Sequence, residues 1–545
     1  MNLRLWAMPV ALVLLGACGR KAGDPEAAPS SGSPPPAKVT LQCMVGSENK
    51  DLKPILDQFG QDNGVELVIA YKGSVDGMLE LQKGPATQFD IVWLASDLWL
   101  NLGDRQKVVK NAESMMTSPV VFGVKTAKAK ELGWHNNATV KIKDILEAVE
   151  AHKLRFAMTS ATQSNTGASA LFSFYSAMAG SPEVLTAQHL DDPNVQEQTK
   201  KLTTGVNRLF GSSGYLADDL VKSPEKYDCM VNYEALVISA NKKLVAAGED
   251  PLYAVFPADG VVLANFPMGF VNHGDTAKEQ AFKRLQAYLK SEPVQRQILA
   301  LGRRTQILGL NPDAADKSVF NPQWGTDAAR KFGSIAMPSA DVIAKGLDLY
   351  QTALRKPSFS LFVLDYSGSM NHNGGTEQRN EAMNLLLEPE RAKRYMLQFS
   401  PRDFTAIFPY DNKLYGPFVV QGNDPVQLRT VLAQITDGSI GGGGTSTHGA
   451  LAAVFDYLMQ NKDKLQGYTP AIFLMTDGDA TDDIAVFQEK VQQLGVGRDI
   501  PIYAITFGSQ VDAAKIATIV NLTSGKVFDG AKDLVSTFRE VKGYN

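Results

Sequence analysis

Three short polar motifs, each following an apolar or glycine-rich stretch, place the strongest constraint on the fold of this chain. Asp365, Ser367 and Ser369 end the apolar run of "LFVLDYSGSM", and Asp477 ends that of "AIFLMTDGDA". Thr445 lies in "GGGGTSTHGAL", a glycine-rich segment that leads into a helix-like stretch. The carboxyl ends of parallel strands meet at one edge of an α/β sheet, where ligands bind. The motifs therefore predict an α/β sheet with its functional site at that edge.

The chemistry of these five side chains is that of an oxygen-only metal site. Three hydroxyls and two carboxylates suit a hard divalent cation, most naturally Mg²⁺ held octahedrally with water, with Mn²⁺ or Ca²⁺ as alternatives. Because neutral hydroxyls donate little charge, a bound ion stays electrophilic and attracts an external Asp or Glu carboxylate. We therefore expect metal-dependent recognition of an acidic protein partner. The alternative is a metal-free turn in which Asp and Ser cap backbone groups.

The N-terminus has the features of a secretory signal. Residues 1–18 contain one early arginine, an apolar run too short to span a bilayer, and small residues before Cys18. The segment from Leu15 to Cys18 resembles the bacterial lipobox, which implies lipidation of Cys18 and a membrane anchor; plain cleavage near Ala17 is the alternative. Residues 19–38 are rich in Pro, Ala, Ser and Gly and predict a disordered tether. We therefore expect a protein held outside the cytoplasm.

Composition and motif absences exclude several functions. A net charge of -4 over 545 residues gives no reason to expect nucleic acid binding, which requires basic patches. The tetraglycine run lacks the G-K-[ST] of a phosphate loop, and no G-x-S-x-G or H-E-x-x-H occurs, so we expect no enzyme. Cys43 and Cys229 lie in apolar runs without C-x-x-C spacing, which argues against zinc. Whether they pair is left open, with two separately buried thiols favoured.

Residues 40–353 alternate short apolar strands with amphipathic helices, which predicts largely parallel sheets. The order of segments, from "GSENKDLKPILDQF" and "FDIVWLASDLWL" through "SATQSNTGASALF" and "KYDCMVNYEALVI" to "LKSEPVQRQILALGRR", resembles the type 2 periplasmic (extracellular) solute-binding proteins. The resemblance implies a fold with two α/β lobes that close on a small-molecule solute. The first lobe would comprise residues 40–117 and 258–353, and the second lobe residues 118–257.

Within that fold, ligand groups are expected where strands end and helices begin. Free N–H groups at a helix start suit an oxyanion or a carboxylate, which favours, without requiring, an anionic solute. The alternative is that these residues are only helix caps and turn formers. The candidates are Ser47 and Ser74, after the first two strands, and Ser164, Asn165, Thr166 and Gly167, at the start of a helix.

A second α/β rhythm covers residues 358–545 after a short connector. The ordered motifs D-x-S-x-S, G-G-T and T-D-G resemble those of a von Willebrand factor A domain, which has a doubly wound, Rossmann-like fold. The resemblance implies a metal-ion-dependent adhesion site. Its ligands would be Ser367, Ser369 and Thr445 directly, and Asp365 and Asp477 directly or through water.

The roles of several residues beside these motifs are predicted less specifically. Ser446 or Thr447 could replace Thr445, which the family pattern favours, and we expect His448 and Asp479 to be solvated loop residues. Together with the anchor predicted at Cys18, the two resemblances predict a membrane-anchored extracytoplasmic protein that binds a small solute and an acidic protein partner. The alternative is the substrate-binding receptor of an ABC importer, with the A domain as a docking accessory.

Overall fold

The computed structural model describes residues 39–545, except 137, 306–314, 372–373, 479, 495–499, 509–510, 512, 524, 532–533 and 543–545. The predicted signal peptide with Cys18, the predicted tether and Asp479 lie outside the described residues. Residues 39–545 pack together as one unit. Among the helices of this described part, none is long and apolar enough to cross a bilayer.

The first sheet has the strand order β2-β1-β3-β11-β4. β1 runs parallel to β2 and β3, and β11 runs antiparallel to β3 and β4. Leu41 and Val45 of β1 belong to one apolar core and Met44 to another, as expected for a sheet covered on both faces. The strands are β1 (Val39–Gly46), β2 (Val65–Lys72), β3 (Ile91–Trp93), β4 (Val109–Ser114) and β11 (Pro267–Val271).

The second sheet has the order β10-β5-β8-β6-β7, with β9 also paired to β5. The chain passes between the two sheets at residues 114–118 and 264–267, so each sheet forms the centre of one lobe. One boundary differs from the sequence-based one, because β10 pairs with β5 although residues 258–353 were assigned to the first lobe. The strands are β5 (Ser118–Lys125), β6 (Phe156–Thr159), β7 (Arg208–Phe210), β8 (Cys229–Tyr233), β9 (Leu252–Val255) and β10 (Leu263–Ala264).

The third sheet, in the A-domain region, has the order β14-β13-β12-β15-β16-β17 and is parallel except for β14. Its central strand β12 is buried along its whole length, with Leu361 and Val363 in one core and Phe362 and Leu364 in another. The strands are β12 (Ser358–Asp365), β13 (Phe404–Tyr410), β14 (Phe418–Gln421), β15 (Thr469–Thr476), β16 (Ile502–Thr506) and β17 (Lys526–Asp529).

The helices of the two lobes connect the strands and cover the sheets. A π-helical turn, Tyr350–Leu354, continues α13 toward the A domain. The helices are α1 (Lys53–Asn63), α2 (Ser74–Leu81), α3 (Asp97–Gly103), α4 (Thr126–Glu131), α5 (Ile142–Glu150), α6 (Asn165–Met178), α7 (Ala187–Asp191), α8 (Pro193–Thr204), α9 (Ser213–Lys222), α10 (Glu234–Ala246), α11 (Thr276–Lys290), α12 (Glu292–Ala300) and α13 (Ala340–Leu349).

The helices of the A-domain region include one interruption that the sequence predicts. A helix ends at Leu387 and the next begins at Pro389, since proline lacks the N–H needed inside a helix but is accepted in its first turn. The helices are α14 (Gly375–Leu387), α15 (Pro389–Arg394), α16 (Pro425–Thr436), α17 (Thr447–Gln460), α18 (Lys462–Leu465), α19 (Ala485–Leu494), α20 (Ala513–Asn521) and α21 (Leu534–Lys542).

The two cysteines of the described chain are buried and free. Cys43 lies on β1 of the first sheet and Cys229 on β8 of the second. Burial raises the pKa of both thiols, so they remain protonated at neutral pH. The favoured interpretation of two separately buried thiols is therefore confirmed.

Candidate metal site and interlobe cleft

The carboxylate of Asp365 forms the floor of the predicted metal site, at the end of β12. It is fully buried, and Oδ1 accepts a hydrogen bond from Ser367 N at 2.9 Å. Oδ2 accepts hydrogen bonds from Thr476 Oγ1 at 2.7 Å and Tyr410 Oη at 3.2 Å. Because Tyr410 and Thr476 end the two strands beside β12, three parallel strands deliver these groups to one edge. Burial raises the pKa of Asp365, opposed by hydrogen bonds from Ser367 and Thr476 and reinforced by nearby Asp477.

The hydroxyl groups of Ser367 and Ser369 face each other, with their Oγ atoms 3.0 Å apart. Adjacent ligands of an octahedral Mg²⁺ with bonds of about 2.05 Å are about 2.9 Å apart, so this spacing fits two neighbouring coordination positions. Asp477 directly follows Thr476, which places a second carboxylate at the same edge. The donor set therefore fits a hard divalent cation.

The glycine-rich loop is held against the D-x-S-x-S motif by main-chain hydrogen bonds. Gly442 N donates to Tyr366 O at 3.1 Å, and Gly368 N donates to Gly443 O at 3.0 Å. Gly441 has a φ of 107°, and a Cβ there would lie 2.5 Å from Tyr366 O, so the close approach requires glycine. This contact brings the segment before Thr445 beside the serine hydroxyls.

The three consecutive hydroxyl residues after this loop have different surroundings. Ser446 Oγ donates to Asp482 Oδ2 at 2.8 Å, and Thr447 Oγ1 lies 3.0 Å from Tyr410 Oη. Thr445 is also buried, with 6% of its surface exposed. Since both alternatives are bonded elsewhere, Thr445 remains the predicted ligand.

Asp482 is a neighbour of the predicted metal site that sequence reasoning misses. It caps α17 by accepting hydrogen bonds from His448 N at 3.1 Å and Gly449 N at 2.7 Å. Although burial raises the pKa of Asp482, the hydrogen bonds from Gly449, Ser446 and His448 hold it below its ordinary value. The expectation that His448 is solvated is wrong, because it is 8% exposed and its Nδ1 lies 2.9 Å from Asp482 O. More than 30 residues separate the partners, so no local pattern indicates the contact.

Arg379 lies directly behind the predicted metal site and is also missed by sequence reasoning. It is 3% exposed, and its Nη1 donates to the main-chain oxygen of Asp365 at 2.8 Å. Its guanidinium carbon lies 3.4 Å from the centroid of the Tyr366 ring. Burial lowers the pKa of Arg379. This cation therefore holds the turn that carries Ser367 without entering the donor set.

All six candidate residues of the interlobe cleft are buried. At the start of α6, Thr166 Oγ1 lies 2.7 Å from Thr159 Oγ1 and 3.1 Å from Ser164 Oγ. Ser74 Oγ accepts a hydrogen bond from Ala95 N at 3.2 Å. Several predicted ligand groups are thus bonded within their own lobe in this conformation.

Asn165 instead connects the two lobes. Its Oδ1 accepts a hydrogen bond from Trp99 Nε1 of α3 at 2.7 Å, and its Nδ2 donates to Tyr233 Oη at 3.0 Å. Val75 N of the first lobe also donates to Gln163 O of the second at 3.3 Å. Gly167 packs so tightly that a Cβ would lie 2.3 Å from Thr159 O. The lobes are therefore closed on each other at the start of α6.

Glu48 and Asn49 are buried polar residues at the end of β1 that sequence reasoning misses, although they directly follow the candidate Ser47. Burial raises the pKa of Glu48 to about 7, opposed by Arg303 and by a hydrogen bond from Ser213 of the other lobe. Within the described residues, Glu48 Oε1 and both amide atoms of Asn49 have no hydrogen-bond partner. Buried polar atoms without partners are rare, so this end of the cleft retains unused bonding capacity.

The chain was compared with known families and structures. A family model for bacterial extracellular solute-binding proteins matches residues 41–304, and a model for the von Willebrand factor type A domain matches residues 361–527. A search of curated proteins finds no significant match.

The solved structures that match include iron-bound HitA from Pseudomonas aeruginosa, with 12% identity, a TM-score of 0.42, and coverage of 57% of this chain and 98% of that chain. The periplasmic binding protein AfuA from Actinobacillus pleuropneumoniae matches with 11% identity, a TM-score of 0.41, and coverage of 58% and 98%. The two lobes and the parallel third sheet agree with the two family matches. Residues 41–304 therefore form a domain of the bacterial extracellular solute-binding family, and residues 361–527 form a von Willebrand factor type A domain.

Proposed function

We propose that this chain is a membrane-anchored extracytoplasmic binding protein that takes a small solute between its lobes and captures an acidic protein partner through its A domain. The observation that carries the second part is the pair of hydroxyls of Ser367 and Ser369, 3.0 Å apart beside buried Asp365. Such a pair fits adjacent coordination positions of a small hard cation. The A-domain match over residues 361–527 supports the same function.

The residues that would hold the ion are Asp365, Ser367, Ser369, Thr445 and Asp477. Bound Mg²⁺, or Mn²⁺ or Ca²⁺ in its place, would supply an electrophilic position for an Asp or Glu carboxylate of the partner. The chain holds its own donors in advance, since three hydrogen bonds orient the Asp365 carboxylate. Such preorganisation lowers the ordering that binding requires.

Titration with Mn²⁺, followed by electron paramagnetic resonance, tests the metal site without a known partner. We expect one ion per chain, competition by Mg²⁺, and much weaker binding after Ser367→Ala. Pull-down from envelope extracts in Mg²⁺ or in EDTA, with Ser367→Ala as the reference bait, then tests partner capture. Equal Mn²⁺ affinity of the variant and the parent would reject the site, and equal recovery in EDTA would reject metal-dependent capture.

The solute is proposed to be small and to carry hydrogen-bond donors as well as a negative group. The amino end of α6 favours a negative group, as the sequence analysis expects. At the other side of the cleft, the unpartnered Glu48 Oε1 and Asn49 Oδ1 favour solute donors, and the unpartnered Asn49 Nδ2 favours a solute acceptor. Thermal unfolding in the presence of paired zwitterionic and purely anionic compounds tests this composition. Stabilisation by the anions alone would contradict it.

The membrane anchor is proposed to be acyl chains on Cys18. Metabolic labelling with an alkyne fatty acid tests it, and we expect labelled parent and unlabelled Cys18→Ser that is released from the membrane fraction. Labelling of the variant would contradict the proposal.

A further inference from the structure

The C-terminal helix α21 of the A domain packs where the two lobes meet. Arg539 on this helix is 2% exposed, and its Nη2 donates to Thr162 O of the second lobe at 2.6 Å. Its Nε donates to Asp76 on α2 of the first lobe and forms an ion pair with it, and its Nη1 donates to Tyr395 O of the A domain itself. One buried cation is therefore bonded to both lobes and to the A domain.

The two lobe groups that Arg539 binds lie beside a direct contact between the lobes. Val75 N, next to Asp76, donates to Gln163 O, next to Thr162, at 3.3 Å. A Cβ at Gly73 would lie 2.6 Å from Gln163 O and 3.3 Å from the Asp76 carboxylate. Opening the cleft at this contact would separate Asp76 from Thr162. Arg539 could then keep one of its two lobe partners and would lose the other.

Further contacts show that the A domain rests on both lobes. On the first lobe, Lys72 Nζ donates to Ser536 Oγ of α21 at 2.7 Å. On the second lobe, Arg208 of β7 forms a hydrogen bond with Tyr503 of β16. The Lys526 ammonium of β17 also lies 5.3 Å from the centre of the Tyr215 ring of the second lobe. Each lobe thus has its own contact with the A domain besides the shared one through Arg539.

Bonds made by a buried arginine are strong, and removing one partner leaves a desolvated charge. The arrangement around Arg539 is complete only when Asp76 and Thr162 are close together, which is the closed cleft. Because such coupling is reciprocal, a change that favours one state of the cleft favours the corresponding position of the A domain, and the reverse also holds.

We propose that α21 is a latch, with Arg539 as its positioning residue, that joins closure of the solute-binding lobes to docking of the A domain. This device goes beyond the proposed function, because it needs neither the identity of the solute nor a metal at the A domain. It gives a physical route by which an occupied cleft could alter how the A domain is presented.

Pulsed electron–electron double resonance on the full chain tests the latch by measuring the distance between the lobes. Spin labels at Gln58→Cys on α1 and Lys143→Cys on α5 occupy exposed sites, in a Cys18→Ser background whose other cysteines are buried. For the parent we expect one narrow distance. For Arg539→Ala we expect an additional longer distance, with the fraction of molecules in the open state at least about tenfold larger than in the parent. The matched control is Arg296→Ala, which removes an exposed arginine paired with Glu292 and should leave the distance unchanged.

A second variant separates the proposed effect from misfolding of Arg539→Ala. Asp76→Asn keeps the shape of the first-lobe partner and removes its charge, and it should also raise the open fraction. In both variants we expect hydrogen exchange to accelerate together in α21 and in residues 160–163. Unchanged interlobe distances in both folded variants would overturn the proposal. Faster exchange confined to α21 would also overturn it, because Arg539 would then tether the A domain alone.

Discussion

The proposed metal site of the A domain and the interlobe cleft begin from the same local design and differ in what their polar side chains contact. Both place Ser, Thr and Asp residues where strands end and helices begin. In the proposed metal site, Asp365 accepts hydrogen bonds from Thr476 of its own sheet and from Ser367 of the following turn, and two serine hydroxyls are adjacent. In the cleft, Asn165 is bonded to Trp99 of the opposite lobe.

This difference shows how preorganisation depends on the bodies that build a site. Neighbouring strands of one sheet have a fixed register, so Tyr410 and Thr476 cannot move away from Asp365 without disrupting the sheet. The cleft lies between two sheets that are connected by short crossings. Its polar groups can bond across the closed lobes or release one another. Movement of the lobes should therefore rearrange the cleft and leave the geometry of the proposed metal site unchanged.

The largest effect should follow from Asp365→Ala. Removal of this carboxylate takes away a predicted metal group and leaves the hydroxyls of Thr476 and Tyr410 without their acceptor. We expect Mn²⁺ affinity to fall by at least about 100-fold, since even indirect supporting residues contribute 10–100-fold in metal sites. Near-ultraviolet circular dichroism verifies folding. The cleft variant Asn165→Ala serves as the control and should keep the parental Mn²⁺ affinity; loss there would show that the two sites are not independent.

Glu48→Gln should change the pH dependence of stability. Burial raises the pKa of Glu48 from 4.5 to about 7, so between these values the folded protein binds more protons than the unfolded chain. Stability contributed by the protonated group is therefore lost as the pH rises through this window. Glutamine cannot ionise, and we expect the variant to be more stable than the parent at pH 8 by up to about 3 kcal/mol, with a small difference near pH 4.

Urea unfolding at these two pH values measures the effect of Glu48→Gln. Arg303 lowers the pKa of Glu48 and Asp51 raises it. Glu249→Gln, the same change at an exposed position, provides the control. A variant less stable than the parent at pH 8 would mean that the carboxylate is stabilised when charged.

Asn165→Ala should have a smaller effect on the closed cleft. The change leaves Trp99 Nε1 and Tyr233 Oη without their Asn165 partner in a buried place. Each buried unpaired group costs about 1–3 kcal/mol, and admitted water reduces this, so we expect the unfolding free energy to fall by about 2 kcal/mol. Denaturant unfolding tests the loss, with Ser164→Ala as a neighbouring control. A loss below that of the control would show that the bridge does not stabilise closure.

Ser446→Ala should have the smallest effect of these variants, and it distinguishes the role of Ser446 from that of Thr445. Its hydroxyl donates to Asp482 beside the start of α17, so its removal should lower the unfolding free energy by about 1 kcal/mol. Mn²⁺ affinity should remain parental, whereas it should fall for the adjacent Thr445→Ala. Calorimetry of the two variants measures both. The opposite pattern would exchange the roles of the two residues.

Most of the fold is predictable from local patterns, and the exceptions have physical causes. The two α/β lobes and the doubly wound third sheet follow from alternating apolar and amphipathic stretches, and the two family matches confirm these resemblances. β4, β7 and β17 are not predicted. β4 is mostly exposed and polar, and the other two are only three and four residues long. Such short or polar segments carry little periodic signal. They form strands because neighbouring strands hold them in the sheet.

The residues of the candidate sites also divide into those that motifs predict and those that only the structure reveals. The five predicted metal groups stay predictions, although the structure brings the serine pair and Asp365 together as the motif implies. Tyr410 and Asp482 escape sequence reasoning because each acts through a partner at least 30 residues away. In the cleft, the motif around Ser164 is recognisable, whereas the unpartnered Oε1 of Glu48 is visible only after both lobes are in place.

The sequence by itself determined the α/β class, the two domain families and the residue types available for a metal, because these depend on local periodicity and short motifs. Only the tertiary structure decided which polar groups are bonded to each other and which are left unused. It also decided that Arg539 joins both lobes to the A domain, a contact between residues more than 370 positions apart. Burial and hydrogen bonding depend on the packing of distant segments, and no local pattern encodes that packing.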